Sequence, residues 1–114
     1  MVRMEDARRN WNRSAAVYDW VTFMEVRGKN AEVRAEVLKE ARGRTLEVGV
    51  GTGHNIRFYP EGNNIVAIDI SERMLDKARA KAKAQNKKPT FMNMDIETMA
   101  FKDHSFDTVV STCV

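Results

Sequence analysis

A chain of 114 residues with a net charge of +3, 43% hydrophobic and 31% charged, has room for one compact domain and no more. That balance is ordinary for a soluble globular protein, and no apolar run approaches the length of a bilayer span. The positive excess does not by itself indicate nucleic acid, because much of it lies in RMLDKARAKAKAQNKK, Arg73 to Lys88, where Met74, Leu75, Ala78 and Ala82 recur at helical spacing and leave the lysines on a solvated face. A basic patch that meets RNA or an acidic membrane surface is the rival reading of that segment.

The N-terminus, MVRMEDARRN, lacks the apolar stretch and small-residue cleavage site of a secretory signal, so a cytoplasmic location is expected. Asp6 to Tyr18 and Glu25 to Ala41 are rich in helix formers, and Val26, Val33, Val37, Leu38 and Ala41 make an apolar stripe on the second, which Gly43 should stop. Thr45 to Val48 reads as a short buried strand. A short helix is expected from His54 to Tyr59, ended by Pro60, and Glu61 to Asn64 is a turn. Ile65 to Ile70 is a second strand, and Ser71 stands where the N-cap of the lysine-rich helix belongs. Pro89 closes that helix. Thr90 to Met94 reads as a third strand, Asp95 to Ser105 as a loop and Phe106 to Thr112 as a fourth strand. The single cysteine, Cys113, permits no internal disulfide and reads as a buried thiol, and the seven methionines read as core filler.

Strands separated by helices imply parallel pairing with right-handed crossovers, and hence a three-layer α/β sandwich. Such sheets take ligands at the carboxyl ends of their strands, where strand order reverses. LEVGVGTGHN, Leu46 to Asn55, puts three alternating glycines at that place. Glycine there permits positive φ and close backbone approach, and a following helix would add unpaired N–H groups. A ligand-free strand-to-helix turn explains one such glycine better than three.

The dinucleotide fingerprint GxGxxG is absent: counted from Gly49 its last position is His54, and counted from Gly51 it is Ile56. The pattern present is Glu47-x-Gly49-x-Gly51-x-Gly53. It resembles the first motif of the class I S-adenosylmethionine-dependent methyltransferases, in which an acidic residue is followed by GxGxG. NIVAIDISERMLDKA, Asn64 to Ala78, resembles that family's second strand and helix start, and FMNMDIETMAFKDHSFDTVVS, Phe91 to Ser111, its third strand, adenine loop and fourth strand. WNRSAAVYDW, Trp11 to Trp20, is similar to an N-terminal Tyr-Asp segment of the branch that includes quinone-biosynthesis and other small-molecule enzymes.

The resemblance implies a Rossmann-like sheet of order 3-2-1-4, with residues 1–42 an N-terminal helical segment and 43–114 a cofactor-binding half domain, truncated relative to the seven-strand fold. It implies S-adenosylmethionine as cofactor, S-adenosylhomocysteine as product and a small-molecule methyl acceptor. Gly49, Val50, Gly51, Thr52 and Gly53 would form the cofactor bend. Asp69, twenty residues after Gly49, would take the ribose hydroxyls, as that spacing also suggests. Asp95 would take the adenine amino group with Ile96 beside the ring, Glu47 would face the methionine end through water, and Ile70 and Met74 would pack on the adenine. Three carboxylates at successive strand ends should share one anionic rim, which suits a sulfonium and repels a pyrophosphate. Tyr18 would fold over the methyl donor; equally, Trp11, Tyr18 and Trp20 would form the packed side of a helix. No catalytic base is assigned: His54 reads as the partly exposed start of a helix and His104 as a surface residue. No metal site is expected.

Two other function classes compete: a non-catalytic module that binds S-adenosylmethionine or S-adenosylhomocysteine, and an NAD-linked oxidoreductase, which the glycine spacing disfavours. Nucleic acid is not expected as a partner. With the chain stopping at Val114, FDTVVSTCV should be an open sheet edge, and a homodimer or other association through the fourth strand is expected.

Overall fold

The computed structural model describes residues 22–26, 28–95 and 106–111. Their elements run β1 (Thr22–Glu25), α1 (Ala31–Leu38), β2 (Arg44–Val48), a 3-10 turn (Ile56–Phe58), β3 (Asn64–Asp69), α2 (Glu72–Ala84), β4 (Thr90–Asn93) and β5 (Thr108–Ser111). All five strands form one parallel sheet of order β1-β5-β2-β3-β4. The expected order of the four later strands is present within it. Among the described residues no helix is long and apolar enough to cross a membrane.

The sheet is buried on both faces, as parallel sheets with crossover helices are. Ile65, Ala67 and Val110 on one face join Leu38 of α1 and Leu75 and Ala82 of α2 in a single core, with Val37 and Phe91 packed against it. On the other face Leu46, Val48, Val66, Ile68 and Val109 are also buried. Two-sided burial explains why β3 reads as a short continuous apolar run and not as an alternating one, and why β2 is buried from Thr45 to Val48 with Glu47 among those residues. In α2 the Ser71 hydroxyl accepts from the Met74 N–H at 3.2 Å, fixing the N-terminus, while Leu75, Ala78 and Ala82 turn inward and the lysines outward.

Three expectations need correction. First, the segment from Glu25 is not one helix. Val26 continues the β1 ladder, its N–H donating to the Ser111 carbonyl at 3.1 Å, and is wholly buried. Gly28 then reverses the chain with φ +75°, and the Asn30 side chain caps α1 by accepting from the Val33 N–H at 2.9 Å. Val33, placed by the stripe in the core, is 39% exposed. Second, β5 is not an edge. Its Thr108–Ser111 pairs with β1 on one side and β2 on the other, so the chain's own strand supplies the ladder that the dimer was expected to supply. Third, no α-helix follows the glycine bend. Gly53, Ile56 and Phe58 donate to Val50, Gly53 and Asn55 respectively, each an i to i−3 bond of 3-10 type. The bend therefore has no helix N-terminus behind it.

Gly53 is fixed by packing. Its φ is +88°, and a Cβ there would lie 3.2 Å from both Cα and Cβ of Ala78, in α2. Gly53→Ala should lower stability by about 2 kcal/mol, the sum of left-handed strain and a contact that must be relieved, measured by urea unfolding. An unchanged midpoint would show that the bend can rebuild itself without that close approach.

Candidate functional site

The carboxyl ends of β2, β3 and β4 carry the three acidic residues in a staircase. Glu47 is level with Ala67, two residues before Asp69, and Asp69 is level with Asn93, two residues before Asp95. At about 3.3 Å per strand residue each step is about 6.6 Å. Their environments differ sharply: Glu47 is wholly buried, Asp69 half-buried and Asp95 exposed. Thus Glu47 lies beneath the rim and not on it.

Glu47 is held from inside the protein. The Tyr59 hydroxyl donates to Oε1 at 2.6 Å and the Asn55 amide to Oε2 at 3.3 Å, and Arg34 of α1 donates to the Asn55 oxygen at 2.8 Å. Burial pushes the Glu47 carboxyl up to about 7, with the Tyr59 and Asn55 hydrogen bonds and the Arg34 charge opposing. Burial and the adjacent Glu47 raise the Tyr59 phenol well above its usual value, so it stays a donor. A carboxyl near 7 beneath a strand end is poised to change charge when a cation arrives above it.

Asp69 shapes the bend. Its Oδ2 accepts from the Gly51 N–H and its Oδ1 from the Ser71 N–H, both at 2.9 Å. Gly49 and Val50 both donate to the Ile68 carbonyl, at 2.9 and 3.0 Å, which ties the bend to β3. A carboxylate offers about four acceptor positions. Two N–H bonds leave capacity for a diol. At Gly51, φ is +59° and a Cβ would meet nothing within 4 Å, so the bend presents bare backbone to open space.

Beside this bend stand unpartnered apolar side chains. Among the described residues the exposed large hydrophobics are Val33, Ile70 at 72% and Met74 at 38%, and the last two flank the β3 end. Val50 points the other way, into the core, and Thr52 is half-buried. Tyr18 and Ile96 lie outside the described residues, as do Trp11, Trp20, His104 and Cys113. The sequence reading missed Arg34, Asn55 and Tyr59. It also missed Ser111, level with Val48 at the end of β5, whose buried hydroxyl bonds nothing among the described residues. The polar residue that ends the apolar run FDTVVS was the available signal for it.

Two clefts of about 240 and 290 Å³ flank the Asn86 to Pro89 turn, at the amino-terminal end of β4. No carboxylate staircase or bare backbone converges there. The chemistry lies at the opposite end of the sheet. Among the described residues no cluster of His, Cys, Asp and Glu is suited to a metal ion.

Residues 45–114, more than half of the chain, match the family model described as a methyltransferase domain. A phosphatidylethanolamine N-methyltransferase from Cereibacter sphaeroides is 36% identical over 98 residues, 84% of this chain and 48% of that protein. A malonyl-[acyl-carrier protein] O-methyltransferase from Pectobacterium atrosepticum is 30% identical over 89% of this chain and 38% of its own length. The chain thus spans less than half of these curated relatives. Among solved structures, magnesium protoporphyrin IX methyltransferase from Synechocystis with bound S-adenosylmethionine superposes with a TM-score of 0.52 and 30% identity over 59% of this chain and 33% of that one. With the sheet order and the glycine bend already in place, the match over residues 45–114 makes this chain a member of the methyltransferase domain family.

Proposed function

We propose that the chain binds S-adenosylmethionine at the carboxyl ends of β2 to β4 and forms the methyl-donor part of an enzyme that transfers the methyl group to a small-molecule acceptor. The observation that carries this reading is the bend itself: Asp69, with acceptor capacity to spare, fastens the bare backbone of Gly51 beside exposed Ile70 and Met74. A diol on Asp69, an aromatic ring on Ile70 and Met74, and a cationic amino-acid tail above Glu47 together describe an adenosyl sulfonium. Asp95 and Ile96 are assigned to the adenine and Tyr18 to the methyl-donor side, following the family pattern. The bound cofactor supplies an electrophilic methyl group. The chain's residues hold it by hydrogen bonds and apolar contact, and methyl transfer of this kind depends chiefly on in-line positioning in a water-poor site.

S-adenosylmethionine and S-adenosylhomocysteine should both bind in calorimetric titration, and NAD and NADP should not. Tighter binding of a nicotinamide cofactor overturns the reading. Robust cofactor binding without methylation of any small-molecule acceptor would instead favour a non-catalytic module.

A further inference from the structure

A second concave surface adjoins the bend and has the opposite charge. A cleft of about 240 Å³ is lined by Ala31, Arg34, His54, Arg57 and Phe58. His54 follows Gly53 directly, so the cleft begins where the cofactor bend ends. The ion pairs among the described residues engage Lys39, Arg79 and Lys87, and none engages Arg34, Arg57 or Lys81. His54 titrates below its usual range chiefly because of Lys81, then its partial burial, then Arg34 and Arg57. Arg34, His54 and Arg57 line the cleft, and Lys81 lies outside that lining but acts on His54 through its charge. The carboxyl linked to Arg34 through Asn55 is Glu47, which is buried and about half protonated at neutral pH.

The cleft is also preorganised. The Arg34 Nε donates to the Lys29 carbonyl at 2.8 Å and its Nη1 to Asn55 at 2.8 Å, so the guanidinium is fixed while its remaining donors bond nothing among the described residues. The Arg57 guanidinium lies 4.5 Å from the centre of the Phe58 ring, which limits its freedom as well. Guanidinium forks match phosphate oxygens in pairs, and an imidazole adds a point donor. The cofactor, a cation at its sulfonium, would be repelled from this side.

We propose that Arg34, His54 and Arg57 form a phosphate-binding cleft beside the glycine bend, with Lys81 of α2 adding positive charge from outside its lining. The chemistry is that of a phosphate monoester or diester, whether in a soluble molecule or in the headgroup of a phospholipid. A phosphate-bearing acceptor is accordingly the substrate class this surface fits, a step that rests on the cofactor reading above; the phosphate site itself does not.

The test follows the ring resonances of His54, distinguished from those of His104 by a His54→Gln sample, at pH 7 without cofactor. Inorganic phosphate and glycerophosphoethanolamine are added, with sodium chloride at matched ionic strength as the control. In parallel, co-sedimentation is measured with vesicles of phosphatidylglycerol in phosphatidylcholine. Saturable shifts with the phosphates are expected, weakened about tenfold or more in the Arg57→Gln, Lys81→Gln double variant, which loses two of the three side chains that are charged at pH 7. S-adenosylhomocysteine affinity should be unchanged in that variant, which separates this site from the cofactor site. A response to the soluble ester identifies a free phosphoester as the source. Vesicle binding that the double variant loses, without a response to the soluble ester, identifies the lipid headgroup. A shift that chloride reproduces, a double variant that behaves as the parent in both arms, or no response in either arm overturns the proposal.

Discussion

Glu47→Gln should gain roughly 3–4 kcal/mol of stability relative to the parent as pH rises from 4 to 8. The carboxyl titrates at about 7 in the folded protein against 4.5 ordinarily, because burial opposes its charge more than Tyr59, Asn55 and Arg34 favour it. A carboxyl raised in the fold contributes stability that is fully present below the unfolded value, near 4.5, and is lost as pH rises through the folded value, near 7. Over that interval the native state holds a proton that the unfolded chain has released. A gap of roughly 2.5 pH units at about 1.4 kcal/mol each gives that 3–4 kcal/mol. Glutamine keeps an acceptor for the Tyr59 hydroxyl, sets its amide nitrogen against the Asn55 amide as a cost that does not vary with pH, and carries no charge, so its stability relative to the parent should rise from pH 4.5 to 7 and then level off. Urea unfolding of both proteins at half-unit pH steps reads this directly. Parallel stability curves would mean that Glu47 is ionised throughout and that Arg34 compensates its burial. Glu47→Ala should behave differently, destabilising at every pH, because it strands the buried Tyr59 hydroxyl and Asn55 amide.

Where local pattern and tertiary structure agreed, the sequence was legible. β3 is an apolar run bounded by turn residues, β2 is stopped by glycine, and α2 has a serine cap and an apolar stripe, so both strands and the start of α2 lie within a residue of expectation, whereas α2 ends at Ala84, short of the expected Lys88, before Asn86 takes a φ of +57°. β1 was illegible for a physical reason. TFME contains helix formers and spans four residues, and it is extended because β5 offers it a ladder, a partner more than eighty residues away in sequence. The loop after the bend failed similarly: His54 to Tyr59 has helical composition, yet Asn55 is drawn inward to Glu47 and the backbone closes into 3-10 bonds instead.

The site was legible in its backbone more than in its side chains. Alternating glycines announced a bend that only glycine can make, and Asp69 stood at the spacing that brings it to that bend. The fate of Glu47 was hidden, because a glutamate within a strand buried on both faces must find polar partners, and nothing local says which residues provide them. Here they come from Tyr59 and Asn55, on the segment after the bend, and through Asn55 from Arg34 on α1. The consequence is a division of labour among three carboxylates that looked equivalent in sequence: one buried and near neutrality, one bound to backbone N–H groups, and one exposed.

Asp69→Ala should weaken S-adenosylhomocysteine binding about tenfold to a hundredfold, equivalent to roughly 1.5–3 kcal/mol for hydrogen bonds to a charged group. Two effects act together. The ribose hydroxyls lose their acceptor, and Gly51 loses the bond that holds its N–H at 2.9 Å, so the bend becomes less well ordered before the ligand arrives. Asp69→Asn separates them. Its amide oxygen can keep one of the Gly51 and Ser71 N–H bonds, but its amide nitrogen must face the other donor. Asn should therefore fall between Asp and Ala in affinity while losing less stability than Ala. The Gly51→Ala protein is the complementary measurement: with open space around the added methyl, it should fold with a loss of about 1–2 kcal/mol from its positive φ, and bind less tightly because the methyl occupies the surface where the ligand lies. If Asp69→Ala and Gly51→Ala both bind S-adenosylhomocysteine as tightly as the parent, the cofactor does not lie on this bend, and Asp69 serves only to join β3 to the glycine loop.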